Sequence, residues 1–342
     1  MEEWRRFDPL RSTPGLEQRM RPSGIRSHRS RWVIGAVSAT VLVLGVRLLA
    51  QFPWRDALAA LVGADRLLLA VAALVNLSSL VAKGSAWHLL LRQRDRNRWW
   101  AAQAATFAGA AVSCVSLSLG GEATRAQLLS SRCQIPLGAA VSALLSCRVV
   151  EGLALGGLLA GAALLLPVAS WVPARGPLLL SVPAGLLVLV VAGAWFGRSR
   201  GLPAWMRWLI APLVAPGAAR ALGGALGLSL MSWTAEWLTF HLSMLATHAR
   251  VTPSVSLTAL VAANLTGMLR LTPANVGVLQ ASVLVAMLPV GTVASRALAA
   301  GLALQAVQVL PVLAIGIAIL GRRGLGHLAR GGSDPASVPK PL

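Results

Sequence analysis

Long runs of apolar residues, separated by short clusters of arginine, are the dominant feature of this sequence of 342 residues. A helix that crosses a bilayer needs about 20 such residues, and several of the runs reach that length. These are the segments 32–52, 67–91, 137–166, 178–196, 222–247 and 295–320. Only 12% of the residues are charged, against about 25% in soluble globular chains. The pattern predicts an all-α, polytopic helical membrane bundle and excludes an ordinary soluble enzyme.

The positive charge is concentrated between the apolar runs. The formal net charge is +20, but the arginines do not follow one helix face and so do not indicate a nucleic-acid-binding surface. Arginine clusters between spans are typical of cytoplasmic loops, and such clusters also attract anionic lipid headgroups. The sequence therefore predicts membrane lipids, and no nucleic acid, as partners.

The two ends of the chain differ from its centre. Residues 1–31 hold eight arginines together with Pro, Ser and Gly, a composition typical of a disordered segment. We expect a disordered basic cytoplasmic tail at 1–31, an integral membrane domain at 32–322 and a disordered C-terminal tail at 323–342. The expected location is the inner membrane of a bacterial cell, as a multi-pass protein with both termini in the cytoplasm.

The apolar run at 101–119 ends in an unusual break. Gly120, Gly121 and Glu122 follow it, and the next helical stretch, 123–133, is far too short to cross a bilayer. A helix that begins near Glu122 would present free N–H groups and a partial positive charge, which suit an anionic headgroup.

A second run, at 254–270, ends in a similar way. Its break contains Pro273, Asn275 and Gly277, and the stretch that follows, 278–289, is again too short to cross. Interrupted segments in corresponding positions of two halves are typical of transporter sites near the membrane midplane.

The loop charges indicate how these segments are oriented. The arginine-rich stretches 92–98, 198–220 and 322–330 fall on one side of the membrane only if each interrupted segment returns to the side from which it entered. The sequence therefore predicts two inverted re-entrant (broken-helix) hairpins. A hairpin that crosses fully in both directions would leave the loops on the same sides, so that alternative stays open.

Several charged residues lie inside the predicted membrane segments. Each charge at the bilayer centre costs about 2.5–3.5 kcal/mol, so such residues persist when they pair, face water or act on a ligand. Glu122 and Arg125 are three residues apart, as are Arg148 and Glu151, and each pair shares a helix face. One interpretation is two internal salt bridges; the other is a polar chamber in which Arg125 binds phosphate.

Glu236, Lys83 and Arg270 are the other charged residues inside the predicted membrane segments. Glu236 lies beside a stripe formed by Trp233, Trp237 and His241 at a spacing of four residues. The stripe indicates either an aromatic packing face or a proton or headgroup site. Lys83 either extends to the interface or pairs with one of the glutamates.

Motifs for cofactors and enzyme chemistry are missing from the sequence. The three cysteines form no Cys-x-x-Cys, and no metal-ligand spacing, phosphate-binding loop, dinucleotide fingerprint or Gly-x-Ser-x-Gly occurs. We expect no metal, no cofactor and no enzymatic activity. Gly-x-x-x-Gly patterns at 152–161 and 223–227 indicate close helix packing or, less often, the interface of a homodimer.

Three short segments resemble a known family. Residues 119–129 (LGGEATRAQLL) and 147–155 (CRVVEGLAL) resemble the first block of the lysylphosphatidylglycerol synthase transmembrane-region family, whose members are also called flippase-like membrane proteins. Residues 271–280 (LTPANVGVLQ) resemble its second block. The resemblance implies an integral membrane bundle; the best-understood members move an aminoacylated phospholipid between leaflets, and others accompany lipid-linked glycan pathways.

The resemblance also implies which residues form the site. Its polar core would consist of Glu122, Arg125, Arg148 and Glu151, with Pro273 and Gly277 in the second break. Gln280 stands where the family pattern usually has Glu, so a titratable group is absent there. No cytosolic aminoacyl-transfer domain is expected, so the chain should not make the lipid itself.

Three hypotheses for the function follow. The first is a lipid translocase for an anionic phospholipid or a polyprenyl-phosphate-linked lipid. The second is a membrane-embedded enzyme that acts on a lipid-linked sugar, with Glu122 or Glu236 as base. The third is a non-catalytic membrane partner of a separately encoded glycosyltransferase or aminoacyltransferase.

Overall fold

The protein is all-helical over the part that the structure describes. The computed structural model describes residues 54–91, 99–116, 120–133, 135–165, 218–267 and 272–331. Over these residues the chain forms nine α-helices and no strand, which confirms the all-α prediction. The predicted basic tail, the spans at 32–52 and 178–196, the cluster at 92–98 and Arg270 lie outside the described residues.

The helices follow the apolar runs of the sequence. In chain order they are α1 (Trp54–Val62), α2 (Arg66–Leu91), α3 (Trp99–Val115), α4 (Gly120–Cys133), α5 (Leu137–Leu165), α6 (Ala218–Ala246), α7 (Pro253–Gly267), α8 (Val278–Met287) and α9 (Ala294–Gly331). Short 3₁₀ turns at Pro273–Asn275 and Leu288–Val290 flank α8. The start of α2 is set by Asp65, whose Oδ1 accepts hydrogen bonds from the N–H groups of Leu67 and Leu68 at 2.8 and 3.1 Å.

Three of the described helices are long and apolar enough to cross a membrane. They are Arg66–Leu91, Leu137–Ala162 within α5, and Ala294–Gly321 within α9, which agrees with three of the predicted spans. The helix α6 has 29 residues but is not one of the three, and its sequence contains Arg220, Glu236 and His241. Its predicted crossing stays a prediction.

The interrupted segments form two helical hairpins. α3 packs against α4, and α7 packs against α8. With 10 residues, α8 is about 15 Å long, about half the thickness of the hydrocarbon core. Such a length fits a hairpin that turns back inside the bilayer, and re-entry stays a prediction.

The helix α6 links most of the bundle. It packs against α2 along much of its length and also contacts α5, α7 and α9. The 3₁₀ turn of the second break packs against α3, so the two hairpins meet. The loop before α2 lies beside the loop after α6: the N–H of Asp65 donates to the carbonyl of Ala246 at 2.8 Å, and Nε2 of His248 lies 3.1 Å from the carbonyl oxygen of Gly63.

The glycines of the predicted Gly-x-x-x-Gly motifs differ in whether they lie against a neighbouring helix. At Gly157 an added Cβ would lie 3.7 Å from Leu230, which is ordinary contact, whereas within the described residues Gly223 and Gly227 face open space. Gly224, between them, is the glycine that approaches α2, at Leu89. The predicted homodimer stays a prediction.

Candidate functional site: ion pairs inside the bundle

The first hairpin places two charges at the start of a helix. Because α4 begins at Gly120, the glycine pair lies in its first turn and Glu122 follows directly. A carboxylate there is favoured by the positive end of the helix dipole. Arg125, one turn further, places Nη1 3.4 Å from Oε1 of Glu122.

Arg148 joins this hairpin to the next helix. Its Nη2 contacts Oε1 of Glu122 on α4, and its Nη1 lies 2.5 Å from Oε2 of Glu151 on α5. The Arg148 side chain is 42% exposed, against 16% for Glu122 and 9% for Glu151. Arg148 is therefore the cation of this group that a ligand reaches most easily. We call Glu122, Arg125, Arg148 and Glu151 the glutamate–arginine network.

Lys83 and Glu236 form a separate ion pair between α2 and α6. Nζ of Lys83 lies 2.7 Å from Oε2 of Glu236. The ammonium also lies 5.1 Å from the centroid of the Trp233 ring, a cation–π distance. Lys83 therefore pairs with a glutamate, which was one of the two predicted alternatives for this residue.

Trp233 connects the Lys83–Glu236 pair to the glutamate–arginine network. Its indole Nε1–H donates to the backbone carbonyl of Glu151 at 2.8 Å. Trp237 and His241, the other members of the predicted stripe, contact Ser256 instead, at 3.0 and 3.1 Å. The residues of the stripe therefore have two different roles. Trp233 contacts the charged centre, whereas Trp237 and His241 contact the start of α7.

The ion pairs balance one another. Three carboxylates and three cations take part, so the group is neutral as a whole. Neutrality lowers the cost of placing charge between apolar helices. The salt-bridge interpretation of the sequence is thus correct as geometry, and it is compatible with a polar chamber because Arg148 stays accessible.

The second break is a distinct feature with an irregular backbone. Ala274 and Asn275 adopt φ values of 50° and 54°, and Gly277 adopts 84°, a region that favours glycine. Side-chain amides hold this backbone. Oε1 of Gln280 accepts from the N–H of Gly277 at 2.7 Å, and Nε2 of Gln305 donates to the carbonyl of Ala274 at 2.7 Å.

The predicted site residues thus fall into two groups. Gly121, Glu122, Arg125, Arg148, Glu151 and Glu236 belong to, or connect with, the ion-paired centre. Pro273, Asn275, Gly277 and Gln280 belong to the second break, between α7 and α8. The breaks approach each other through the contact of the 3₁₀ turn with α3.

Sequence reasoning missed two residues that build these features. Gly109 lets α3 approach α4 so closely that a Cβ there would lie 2.7 Å from the carbonyl oxygen of Gly121. Its only signal was a glycine within an alanine-rich helix. Gln305 had no signal, because its partner Ala274 is 31 residues away.

Potential metal ligands do not cluster. Among the described residues, no group of three or more His, Cys, Asp or Glu could hold a metal ion. Among the described residues, Cys114, Cys133 and Cys147 form no disulfide. The centre consists of two guanidinium groups and one ammonium, paired with three carboxylates.

A helical, multi-pass membrane protein with a charge-balanced polar centre is the class that this fold and site define. The chain belongs to the lysylphosphatidylglycerol synthase TM region family, since the family model of that description matches residues 32–316. The match includes both interrupted segments and all six charged residues of the centre. No curated protein matches the chain. Family membership makes this a membrane protein related to lipids.

Proposed function

We propose that the protein moves an anionic phospholipid or a polyprenyl-phosphate-linked lipid between the two leaflets. The observation that carries this proposal is Arg148, a half-exposed cation that joins the first broken hairpin to the neighbouring helix inside an apolar bundle. A lipid phosphate offers the acceptor oxygens that a guanidinium binds with two hydrogen bonds. The headgroup would pass this centre while the acyl chains stay in the bilayer.

Charge balance explains how such a headgroup could bind without being trapped. Arg148 is held by Glu122 and Glu151 before a ligand arrives, so a phosphate competes with two carboxylates for its guanidinium. The net gain is then small, because one ion pair replaces another. A transport site needs binding that is favourable enough for entry and weak enough for release.

We further propose where the protein lies in the cell and which enzymes act before or after it. The protein would lie in the inner membrane of a bacterial cell with both termini in the cytoplasm, where the arginine-rich segments meet anionic lipid. It would carry out no chemistry itself. A separately encoded glycosyltransferase or aminoacyltransferase would act on the lipid before or after transport.

Headgroup accessibility in proteoliposomes tests the proposal. The full chain is reconstituted with headgroup-labelled phosphatidylglycerol or phosphatidylcholine, and the label that an external quencher reaches is followed over time. We expect the wild type to expose inner-leaflet phosphatidylglycerol, and Arg148→Gln to slow this by about tenfold or more, the effect of losing about 1.4 kcal/mol.

Arg296→Gln is the matched control. Arg296 is an exposed cation near the start of α9, so its removal lowers the net charge equally without affecting the centre. Equal rates for wild type and Arg148→Gln would argue against passage at this centre. A wild type that exposes no more anionic lipid than protein-free liposomes would contradict translocation of that lipid.

A further inference from the structure

We propose that Lys83 is a second binding position for the lipid phosphate, with Glu236 as the counter-ion that the phosphate replaces. The inference rests on the proposed translocation and extends it from one cation to two. It is carried by the geometry of the Lys83–Glu236 pair and by its connection, through Trp233, to the glutamate–arginine network.

Lys83 lies well inside α2, eight residues before the helix ends at Leu91. Its ammonium is directed to Glu236 on α6 rather than to a helix end, at 2.7 Å. The side chains of Lys83 and Glu236 are 18% and 15% exposed. The pair is therefore enclosed by helices but keeps some accessible surface.

The donors of Lys83 exceed the acceptors around it. An ammonium carries three N–H donors, and the carboxylate of Glu236 accepts one. The ring face of Trp233 attracts the charge but accepts no conventional hydrogen bond. Among the described residues no further acceptor bonds to Lys83. Because unfilled donors in apolar surroundings are costly, this position favours a ligand with several acceptor oxygens, as a phosphate diester has.

Arg125 has the same surplus. Its Nε is buried and has no hydrogen-bond partner in the described structure. Both ends of the charged centre thus have unused donors, one on α4 and the other on α2. A ligand that moves through the centre would need a second cation with unused donors, and Lys83 is such a cation.

Trp233 and Glu151 link the two positions. Lys83 lies over the Trp233 ring, and the N–H of that ring donates to the carbonyl of Glu151, whose carboxylate binds Arg148. Trp233 and Glu151 are therefore the residues that a headgroup would pass on its way from Arg148 to Lys83. Each position is neutral when empty, so neither holds the phosphate irreversibly.

The opposing interpretation is that the pair only links α2 to α6. The two interpretations differ in what happens when both charges are removed together. Replacing both partners of a buried ion pair by apolar residues of similar size is often neutral or stabilising. A purely structural pair would thus tolerate Lys83→Met/Glu236→Met, whereas a phosphate-binding position would not.

The test measures transport and stability of the full chain in parallel. Headgroup-labelled phosphatidylglycerol in proteoliposomes reports transport, and thermal unfolding in detergent reports stability. We expect Lys83→Met/Glu236→Met to unfold at or above the wild-type temperature and to transport about tenfold more slowly or worse. Lys83→Arg, which keeps a cation, should recover most of the rate lost in Lys83→Met. Arg296→Met serves as the exposed control.

The outcomes separate this inference from the proposed function. Wild-type transport with an unchanged rate in the double Met variant would overturn the role of Lys83 alone. Absence of transport by the wild type would overturn both. If the double Met variant does not fold, Lys83→Gln/Glu236→Gln takes its place with the same expectation. If the double Met variant loses binding of sn-glycerol 3-phosphate but transports labelled phosphatidylglycerol at the wild-type rate, the position takes soluble phosphate esters and the lipid assignment is overturned.

Discussion

Single side chains keep an irregular backbone in place at the second break. Three residues within four positions have positive φ, and two of them, Ala274 and Asn275, are not glycine. This conformation costs about 1–2 kcal/mol for such a residue, so surrounding bonds must compensate. Gln280 and Gln305 supply those bonds, each at 2.7 Å.

Gln280 provides a test at this scale. Gln280→Glu keeps an acceptor for the N–H of Gly277, so we expect its melting temperature in detergent to lie closer to the wild type than that of Gln280→Met. Gln280→Met removes the acceptor and should lower the free energy of unfolding by about 1 kcal/mol. Equal melting temperatures for Gln280→Met and the wild type would show that the bond does not hold the break.

The residue scale also explains the departure from the family pattern. The amide of Gln280 makes a capping bond that a glutamate at the same position would make as well. The local structure of the second break therefore does not need the titratable group. The charged centre of the protein lies elsewhere, on α2, α4, α5 and α6.

At the scale of helices, the first hairpin depends on the close approach of α3 and α4. Gly109 and Gly121 face each other, and the side chain of Arg125 lies over Gly109. Small residues at such crossings let backbones approach within a membrane. The same contact sets the position of Arg125 relative to Glu122.

Adding one methyl group tests this crossing. Alanine is favoured over glycine within a helix by about 1 kcal/mol, yet we expect Gly109→Ala to destabilise the protein by about 1–3 kcal/mol, because the crossing becomes overpacked. Gly223→Ala is the matched control, since no described atom lies within 4 Å of the added Cβ. Thermal unfolding of both variants in detergent is the measurement, and equal stability would contradict the close approach.

Helix length is the second feature at this scale. α4 has 14 residues and α8 has 10, about 21 and 15 Å at 1.5 Å per residue. Neither reaches across a hydrocarbon core of about 30 Å. The sequence predicted that these two stretches are short, because charged residues, Pro or Gly lie near both of their ends.

At the scale of the whole molecule, the described loops indicate sidedness. The loop at 63–65 lies beside that at 246–248, as the Asp65–Ala246 bond shows. The arginine distribution predicts that both face outward. The ion-paired centre is carried by α2, α4, α5 and α6.

Thiol labelling tests the orientation of the second hairpin. In a variant without Cys114, Cys133 and Cys147, we expect Val290→Cys to react with an impermeant reagent added outside cells. Val276→Cys, at the tip of a re-entrant hairpin, should not react with that reagent at the cytoplasmic side of inside-out vesicles. Reaction of Val276→Cys there would show that the hairpin crosses fully. Both side chains are more than half exposed.

The sequence by itself determined the helices and the local charge pairs. Helix ends at 66–91 and 137–165 lie within a residue or so of the predicted spans, because hydrophobic length and loop charge are local properties. The Glu122–Arg125 and Arg148–Glu151 pairs follow from a spacing of three residues on a helix. These features need no knowledge of which helices are neighbours.

Only the tertiary structure decided which charges meet across helices. Arg148 binds Glu122 over 26 positions, and Lys83 binds Glu236 over 153. Such contacts depend on which faces pack together and how closely, which small residues such as Gly109 control. Helix periodicity contains no information about that choice, because every intramembrane cation could satisfy any carboxylate that packing brings to it.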